Sequence, residues 1–312
     1  MADPACPLHE SRDPRDFLSR LERCSGRSLD DLLDPIVPAE GREAVLLAGS
    51  IPLGIATELS DVDLVVVARG LARDLSNGRA SADVTSLYSA DYSSGGSDAV
   101  LANHVLKAGN AEIDVLVLLA SGLDALIARV AGSRVALSAH HLELLGRLKY
   151  GWVLSNGEER PALTGLRRDN ALELHCGTRA FVTAVKALRH SGRALPGEPL
   201  LAAHLSRHAV EKGFEAYLSS RGYVALGLKW LRFVRRRTAV DPELAEVARL
   251  GLPLLFPDPD DAAAHLERAR GFLAQVRERI ERDLAFRLAF RMCPQIEIQP
   301  SGEREENAQR PG

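Results

Sequence analysis

A chain of 312 residues is long enough for two domains with a sizeable core, and its 46% hydrophobic and 26% charged residues are ordinary for a globular protein. The formal net charge of −3 argues against a surface dedicated to nucleic acid, because such surfaces carry a strong basic excess. The four cysteines form no Cys-x-x-Cys pair, and the sequence has neither a signal-peptide pattern nor a membrane-length apolar run. We therefore expect free thiols, no membrane association and a cytoplasmic protein.

The N-terminal part of the chain predicts helices followed by strands. Residues 1–12 are polar and contain proline, which indicates a disordered N-terminus. From Asp13 onward, apolar residues recur at helical spacing and predict one or two helices that pack on a sheet. Two short runs rich in Val and Leu follow, at residues 45–48 and 62–67, and they are typical of buried strands.

The connection between these two strands carries the residues best suited to chemistry. Gly49 allows a tight turn that approaches a phosphate closely, and Ser50 adds a hydroxyl and a backbone N–H. A helix that begins within residues 52–57 would direct its positive end toward the same anion. Asp61 and Asp63 open the second strand on one face, because alternate residues of a strand point the same way. Two carboxylates this close repel each other unless a cation lies between them, and Mg²⁺ is the natural occupant.

A third carboxylate follows on a later strand. Residues 102–107 and 111–118 predict two antiparallel strands joined by a tight turn at Gly109-Asn110. Asp114 lies in the second of these strands, and on a strand adjacent to the acid pair it would complete a metal site. Glu112 shares its face and is the substitute candidate.

These residues together resemble the signature of the polymerase-β-type nucleotidyltransferase superfamily. The resemblance covers about residues 41–120: Gly49-Ser50, ten intervening residues, Asp61-Val62-Asp63, and then Asp114 on a later strand. It implies that a nucleoside triphosphate binds with two Mg²⁺ ions and that a nucleoside monophosphate passes to an acceptor with release of pyrophosphate. By this resemblance Gly49 and Ser50 hold the terminal phosphates, and the three aspartates hold the metals.

The remainder of the chain completes the expected α/β (α+β) architecture, a short mixed sheet followed by an all-helical bundle. The Gly- and Ser-rich stretch 71–98 predicts a loop, either a plain surface loop or a gate over the site. Residues 151–165 predict a connection, so we expect a catalytic domain at 13–155, a helical bundle at 156–293 and a disordered tail at 294–312. Helices are expected over residues 121–130, 140–149, 171–190, 199–218, 222–237 and 260–291.

The layout is similar to small-molecule nucleotidyltransferases of the kanamycin type, in which a catalytic domain precedes a helical one. Two residues of the helices after the sheet, Glu143 and Glu173, are candidates for the base that deprotonates the acceptor, or are simply solvated. Lys186 and Lys229 lie in apolar helical segments. Either they reach the triphosphate as point charges, or their side chains extend along the bundle and keep their ammonium groups in solvent.

The sequence favours AMP transfer from ATP to a small-molecule acceptor and leaves other readings open. An RNA 3′ end or a protein side chain is the alternative acceptor, and a basic groove near the arginines of 232–237 would favour RNA. A catalytically degenerate nucleotide-binding module is the alternative from another class, although an unused acid cluster adds only repulsion. No motif identifies the base of the nucleotide, the acceptor or the oligomeric state.

Overall fold

The computed structural model describes residues 7–58, 60–69, 84–87, 100–108, 111–131, 137–154, 160–224 and 230–293. The chain divides into two compact units. The first contains Met1–Leu172 and Ala225–Phe233, and the second contains Glu173–Val224 and Val234–Gly312. The domain boundary expected between residues 155 and 156, like the disordered termini, stays a prediction.

Two short helices precede the sheet, as the apolar spacing predicts. Helix α1 spans Pro14–Ser25 and begins where the Asp13 carboxylate accepts hydrogen bonds from the backbone of its first turn. Helix α2 spans Leu29–Leu33 and begins at Ser28 with a reciprocal capping box. Cys24 in α1 takes part in a disulfide bond, so the expectation of free thiols is wrong there and holds for Cys176 and Cys293. This correction removes one argument for a cytoplasmic location.

Within the described residues, six strands form one mixed sheet with the order β3-β4-β5-β2-β1-β6. Strands β2 and β5 pair in parallel, and every other neighbouring pair is antiparallel. The strands are β1 Arg42–Ala48, β2 Val62–Ala68, β3 Val84–Leu87, β4 Val100–Ala108, β5 Ala111–Leu119 and β6 Trp152–Val153. Strand β3 lies inside the stretch predicted as a loop; the rest of 71–98 is outside the described residues.

Strands β1 and β2 are buried on both faces over most of their length, which explains their nearly continuous Val and Leu runs. One face packs on the N-terminal helices, where Phe17 and Leu33 share a core with Leu64 and Val115. The other face is covered by α3, Ala120–Ala131, which packs on β5, and by α4, Ala139–Tyr150, which packs on β1.

The segment 151–165 is more than the connection expected from its turn residues. Strand β6 pairs with β1, and helix α5 spans Pro161–Arg168 in the first unit. Arg160, at the start of α5, forms ion pairs with Glu43 of β1 and Asp124 of α3. These contacts fix α3 and α5 on the sheet.

The rest of the described chain is mainly helical, as expected, with two differences: residues 222–224, predicted to open a helix over 222–237, are not helical, and the helix over Pro242–Gly251 was not predicted. The helices are α6 Ala171–Ala194, α7 Pro199–Ser220, α8 Trp230–Arg237, α9 Pro242–Gly251, α10 Ala262–Ile280 and α11 Leu284–Arg291. The prediction of a single helix over 260–291 is wrong, because the helix ends at Ile280. A new helix begins after Asp283, whose carboxylate accepts hydrogen bonds from the backbone N–H groups of Ala285 and Phe286. Within these ranges, no helix has both the length and the apolar character needed to cross a bilayer.

Candidate active site

Two of the three predicted aspartates lie side by side on adjacent parallel strands. Asp63 of β2 is in register with Asp114 of β5. Directly paired residues of neighbouring strands present their side chains on the same face, so both carboxylates stand on one side of the sheet. Asp61 is exposed and precedes β2 by one residue. The parallel pairing of β2 with β5 therefore brings Asp63 and Asp114 together, and Asp61 is near enough for its charge to act on Asp114.

A glycine turn closes over Asp63. Gly49 follows β1 and has a φ of +74°, in the left-handed region that favours glycine. A Cβ at this position would lie 3.0 Å from Cγ of Asp63 and closer still to its Oδ2. The absence of a side chain at Gly49 is therefore what allows the turn and the Asp63 carboxylate to occupy the same corner.

The turn continues without the helix that residues 52–57 could have begun. The backbone N–H of Ile55 donates to the carbonyl of Ser50 at 3.0 Å, and Gly54 N–H donates to the carbonyl of Ile51 at 2.9 Å. Gly54 also has a left-handed φ of +67°, which ends the turn rather than starting a helix. Any anion bound here would be held by turn N–H groups and not by a helix dipole.

The hydroxyl of Ser50 is buried within this turn and lacks a hydrogen-bond partner among the described residues. The residue is 1% exposed, and its Oγ is one of the few buried polar atoms left unsatisfied. Leaving a buried hydroxyl without a partner costs about 1–3 kcal/mol. Such a group next to an acid cluster is suited to a polar ligand.

Helix α4 places a cation and a further carboxylate next to the aspartates. Arg147 Nη1 donates to Asp63 Oδ1 at 3.2 Å, and Nη2 donates to Glu143 Oε1 one turn earlier at 2.8 Å. Glu143 is thereby the predicted base candidate that the structure brings to the acids. Glu173 is a buried residue of α6, assigned to the second unit.

The end of α4 is held tightly against the sheet. A Cβ at Gly151 would lie 3.0 Å from the carbonyl oxygens of both Leu47 and Arg147, so a larger residue would require the backbone there to shift. Arg167 of α5 donates to the Gly151 carbonyl at 2.6 Å. Because the helix end is fixed to β1, the position of the Arg147 backbone relative to the aspartates is fixed as well.

The electrostatics of the cluster raise the pKa of Asp114 above the ordinary carboxyl value. Burial is the largest cause, and the negative charges of Asp63 and Asp61 raise the pKa further. Arg147 opposes the shift, because its positive charge favours the ionised carboxylate. The negative charges of the cluster thus repel one another, and a bound cation would reduce this repulsion.

The residues present fit a magnesium-bound triphosphate in their chemistry. Carboxylate oxygens are the ligands that Mg²⁺ prefers, and the missing side chain at Gly49 lets the Asp63 carboxylate lie against the turn. The Ser50 hydroxyl, without a partner among the described residues, has a donor to offer to a polar ligand. As the side chains stand, the described part of the chain has no three acidic, histidine or cysteine residues converging as a metal cage, and Asp63 is turned to Arg147.

Other predicted residues take different places. Lys186 is exposed on α6 in the second unit, and Lys229 lies outside the described residues, so their contact with the triphosphate stays a prediction. Glu112 is exposed in register with Lys107 of β4, two residues from Asp114. The metal-binding and phosphate-binding roles of the motif residues likewise stay predictions.

Arg147 is the residue that the sequence did not single out. It is one of many arginines, and its spacing from Glu143 resembles any surface ion pair of a helix. Gly151, four residues later, was the available signal, because a glycine directly after a helix indicates the helix C-terminus. That signal locates the helix end and not the partner of Arg147.

Comparisons with known proteins give a distant structural likeness and no sequence match. No protein-family model matches the chain, and no curated protein matches its sequence. The chain is similar to the crystal structure of a nucleotidyltransferase-like protein from Exiguobacterium sibiricum 255-15, with a TM-score of 0.43 and 12% identity, over 88% of this chain and 82% of that chain. The function proposed below rests on the residues of the site itself.

Proposed function

We propose that this protein is a Mg²⁺-dependent nucleotidyltransferase that moves AMP from ATP to a small-molecule acceptor and releases pyrophosphate. The observation that carries the proposal is the corner formed by Asp63, Asp114 and the Gly49-Ser50 turn. A left-handed glycine against a carboxylate, next to a buried hydroxyl with no partner among the described residues, has no evident benefit for folding. Each of these features is useful for holding a triphosphate and its cations.

Asp61, Asp63 and Asp114 are the residues that would hold two Mg²⁺ ions. When bound, the ions neutralise charge on the phosphates and favour displacement at the α-phosphate. The raised pKa of Asp114 supports this role, because the charges that disfavour its ionisation in the free protein are those that a cation compensates. Gly49 and Ser50 would hold the terminal phosphates through backbone N–H groups and the hydroxyl.

Glu143 is the base that the geometry supports best. Its carboxylate is half-exposed and hydrogen-bonded to Arg147, which also contacts Asp63. A carboxylate oriented by an arginine at the edge of the acid cluster can accept the proton of an acceptor hydroxyl. Its position on the rigid helix α4 would orient that hydroxyl toward the phosphates.

The arginines of α8 favour a second candidate acceptor, the 3′ end of an RNA. Arg232, Arg235, Arg236 and Arg237 are all exposed within one eight-residue helix. Clustered exposed arginines contact phosphate backbones and make binding steeply dependent on salt. Salt-dependent binding of a short RNA, lost when these arginines are changed, would move the acceptor from small molecules to RNA.

The testing experiment is thermal melting with each of the four nucleoside triphosphates, with and without Mg²⁺. A ligand that binds only the native state raises the melting temperature. We expect a Mg²⁺-dependent rise with ATP, and release of pyrophosphate when a suitable acceptor is added. Both effects are expected to be lost in Asp63→Asn and retained in Asp30→Asn, which changes an exposed aspartate paired with Arg42 outside the site.

The outcome decides between the enzyme and a degenerate module. If none of the four triphosphates raises the melting temperature at millimolar concentration, the proposal is contradicted, and a fold that has lost nucleotide binding is favoured. A rise that persists unchanged in Asp63→Asn would mean that nucleotide binds elsewhere. A rise with a different triphosphate would correct the donor and leave the reaction class intact.

A further inference from the structure

Arg147 occupies the position next to Asp63 where a cation is needed. Its guanidinium lies 3.2 Å from Asp63 Oδ1, and it is the cation that lowers the pKa of Asp114 against the effect of the surrounding acids. Two of its nitrogens are used by two different carboxylates, because Nη2 donates to Glu143 at 2.8 Å. The side chain thus links the acid cluster to α4.

We propose that Arg147 is a built-in counter-ion that excludes a divalent metal from Asp63 until a triphosphate arrives. The inference rests on the proposed function and adds an order of binding to it: metal alone binds weakly, and metal enters together with the nucleotide. Arg147 is therefore a positioning residue for Asp63 in the nucleotide-free protein.

The geometry shows why the pair can open without stranding a charge. Asp63 is largely buried, with 14% of its side chain exposed, whereas the Arg147 side chain is 35% exposed. When the guanidinium leaves Asp63 it keeps Glu143 as a partner, and water can solvate its exposed part. The other oxygen of the Asp63 carboxylate lies beside the Gly49 turn, at the place that a Cβ of residue 49 would occupy. The moving partner is therefore the arginine.

Competition for one oxygen explains the expected weakness of metal binding. A divalent cation that binds Asp63 must displace Arg147 and then tolerate its positive charge nearby, since α4 is fixed at Gly151. A triphosphate brings several negative charges that compensate both cations at once. Metal and nucleotide should consequently bind with positive cooperativity, and the cooperativity should depend on the charge at position 147.

The test measures Mn²⁺ binding to the full chain by the loss of the free Mn²⁺ signal in electron paramagnetic resonance, with no nucleotide present. Arg147→Met is expected to bind Mn²⁺ about tenfold more tightly than the wild type, because the competing charge is gone. Arg147→Lys keeps the charge and is expected to bind as weakly as the wild type. Arg69→Met, which removes an arginine paired with Glu43 outside the cluster, serves as the matched control and should change nothing.

A second measurement keeps the proposal open to contradiction if Arg147→Met does not fold. In the wild type, a non-hydrolysable ATP analogue should tighten Mn²⁺ binding beyond what the analogue achieves in free solution. A wild type in which the analogue gives no such extra tightening would contradict the proposal without any variant at position 147. Where Arg147→Met does fold, its gain over the wild type should vanish when Asp63→Asn is added, because that change removes the contested ligand.

The outcomes separate this proposal from the function it rests on. Equal Mn²⁺ affinity in wild type and Arg147→Met, with cooperative binding of Mn²⁺ and analogue in both, would contradict the counter-ion role of Arg147. The proposed nucleotidyltransferase function would be unaffected. Equal tightening in Arg147→Met and Arg69→Met would reduce the effect to general charge and overturn it as well. A wild type that binds neither Mn²⁺ nor the analogue under any condition would contradict the proposed function.

Discussion

Replacing Gly49 by alanine tests the corner of the site with a single methyl group. The backbone there has a φ of +74°, and a Cβ would lie 3.0 Å from Cγ of Asp63. The substitution therefore has two separate costs, the left-handed backbone and the collision with the carboxylate. Gly54→Ala is the matched control, because Gly54 has a φ of +67° in the same turn, and no described residue other than its chain neighbours lies within 4 Å of its Cβ position.

The two costs can be given rough magnitudes. A left-handed conformation destabilises a residue with a side chain by about 1–2 kcal/mol, partly offset by the reduced freedom of the unfolded chain, and this applies to both variants. In Gly49→Ala the Asp63 side chain must also leave its rotamer and its contact with Arg147, which adds about 1–2 kcal/mol. We expect Gly49→Ala to be the less stable variant by that second amount.

Urea unfolding followed by tryptophan fluorescence measures this difference in stability and reports on the structural unit that contains the site. The chain has two tryptophans, Trp152 and Trp230, and both belong to the first unit with the site. Mg²⁺-ATP should raise the melting temperature of Gly54→Ala and not that of Gly49→Ala, because only the latter displaces Asp63. Equal stability losses, or equal nucleotide binding, would show that the approach of Gly49 to Asp63 has no role in the site.

Three further predictions concern single side chains. Ser50→Ala should weaken triphosphate binding, measured by calorimetry, without lowering the melting temperature, because its buried hydroxyl has no partner among the described residues. The pKa of Asp114 is raised above 3.8, so its ionisation destabilises the folded state as pH rises from 3.8 through the raised pKa. Asp114→Asn should therefore raise the melting temperature of the nucleotide-free protein near neutral pH and not in acid. His265→Ala removes buried hydrogen bonds at both ring nitrogens and should cost about 2–4 kcal/mol in urea unfolding followed by circular dichroism, whereas exposed His204→Ala should cost nothing measurable.

Local sequence patterns were sufficient for the elements that carry the acids. The strands around Gly49 and Asp63 read as short apolar runs between turn residues, and alternation correctly predicted the face of Asp63. The hairpin of β4 and β5 followed from a Gly-Asn turn between two such runs. Placing Asp114 beside Asp63 required the pairing of β2 with β5, which the sequence suggested only through the family resemblance.

Features that depend on nonlocal contacts were missed or mispredicted. The turn after Ser50 replaces a helix because Gly54 adopts a left-handed conformation, which composition alone does not reveal. The end of the helix at Ile280 was missed because the apolar spacing continues beyond it. The Asp283 side chain binds the backbone of the residues that follow and so favours the start of a new helix over continuation of the first. Arg147 was missed because its partner Asp63 lies 84 residues away and is reached only through the packing of α4 on the sheet.

The cost of the acid cluster to folding is itself an argument about its purpose. Asp63 and Asp114 stand next to buried Val and Leu residues, where the pKa of Asp114 is raised by burial and by its neighbours. A fold selected only as a scaffold would gain stability from an amide at position 114 and from a residue other than glycine at position 49 that needed no left-handed backbone. Arg147, held at 3.2 Å from Asp63, compensates part of the repulsion, and the pKa of Asp114 remains raised. The combination of two adjacent acids, a constrained glycine and a movable counter-ion therefore supports the proposed site for metal and triphosphate, and it counts against the degenerate module.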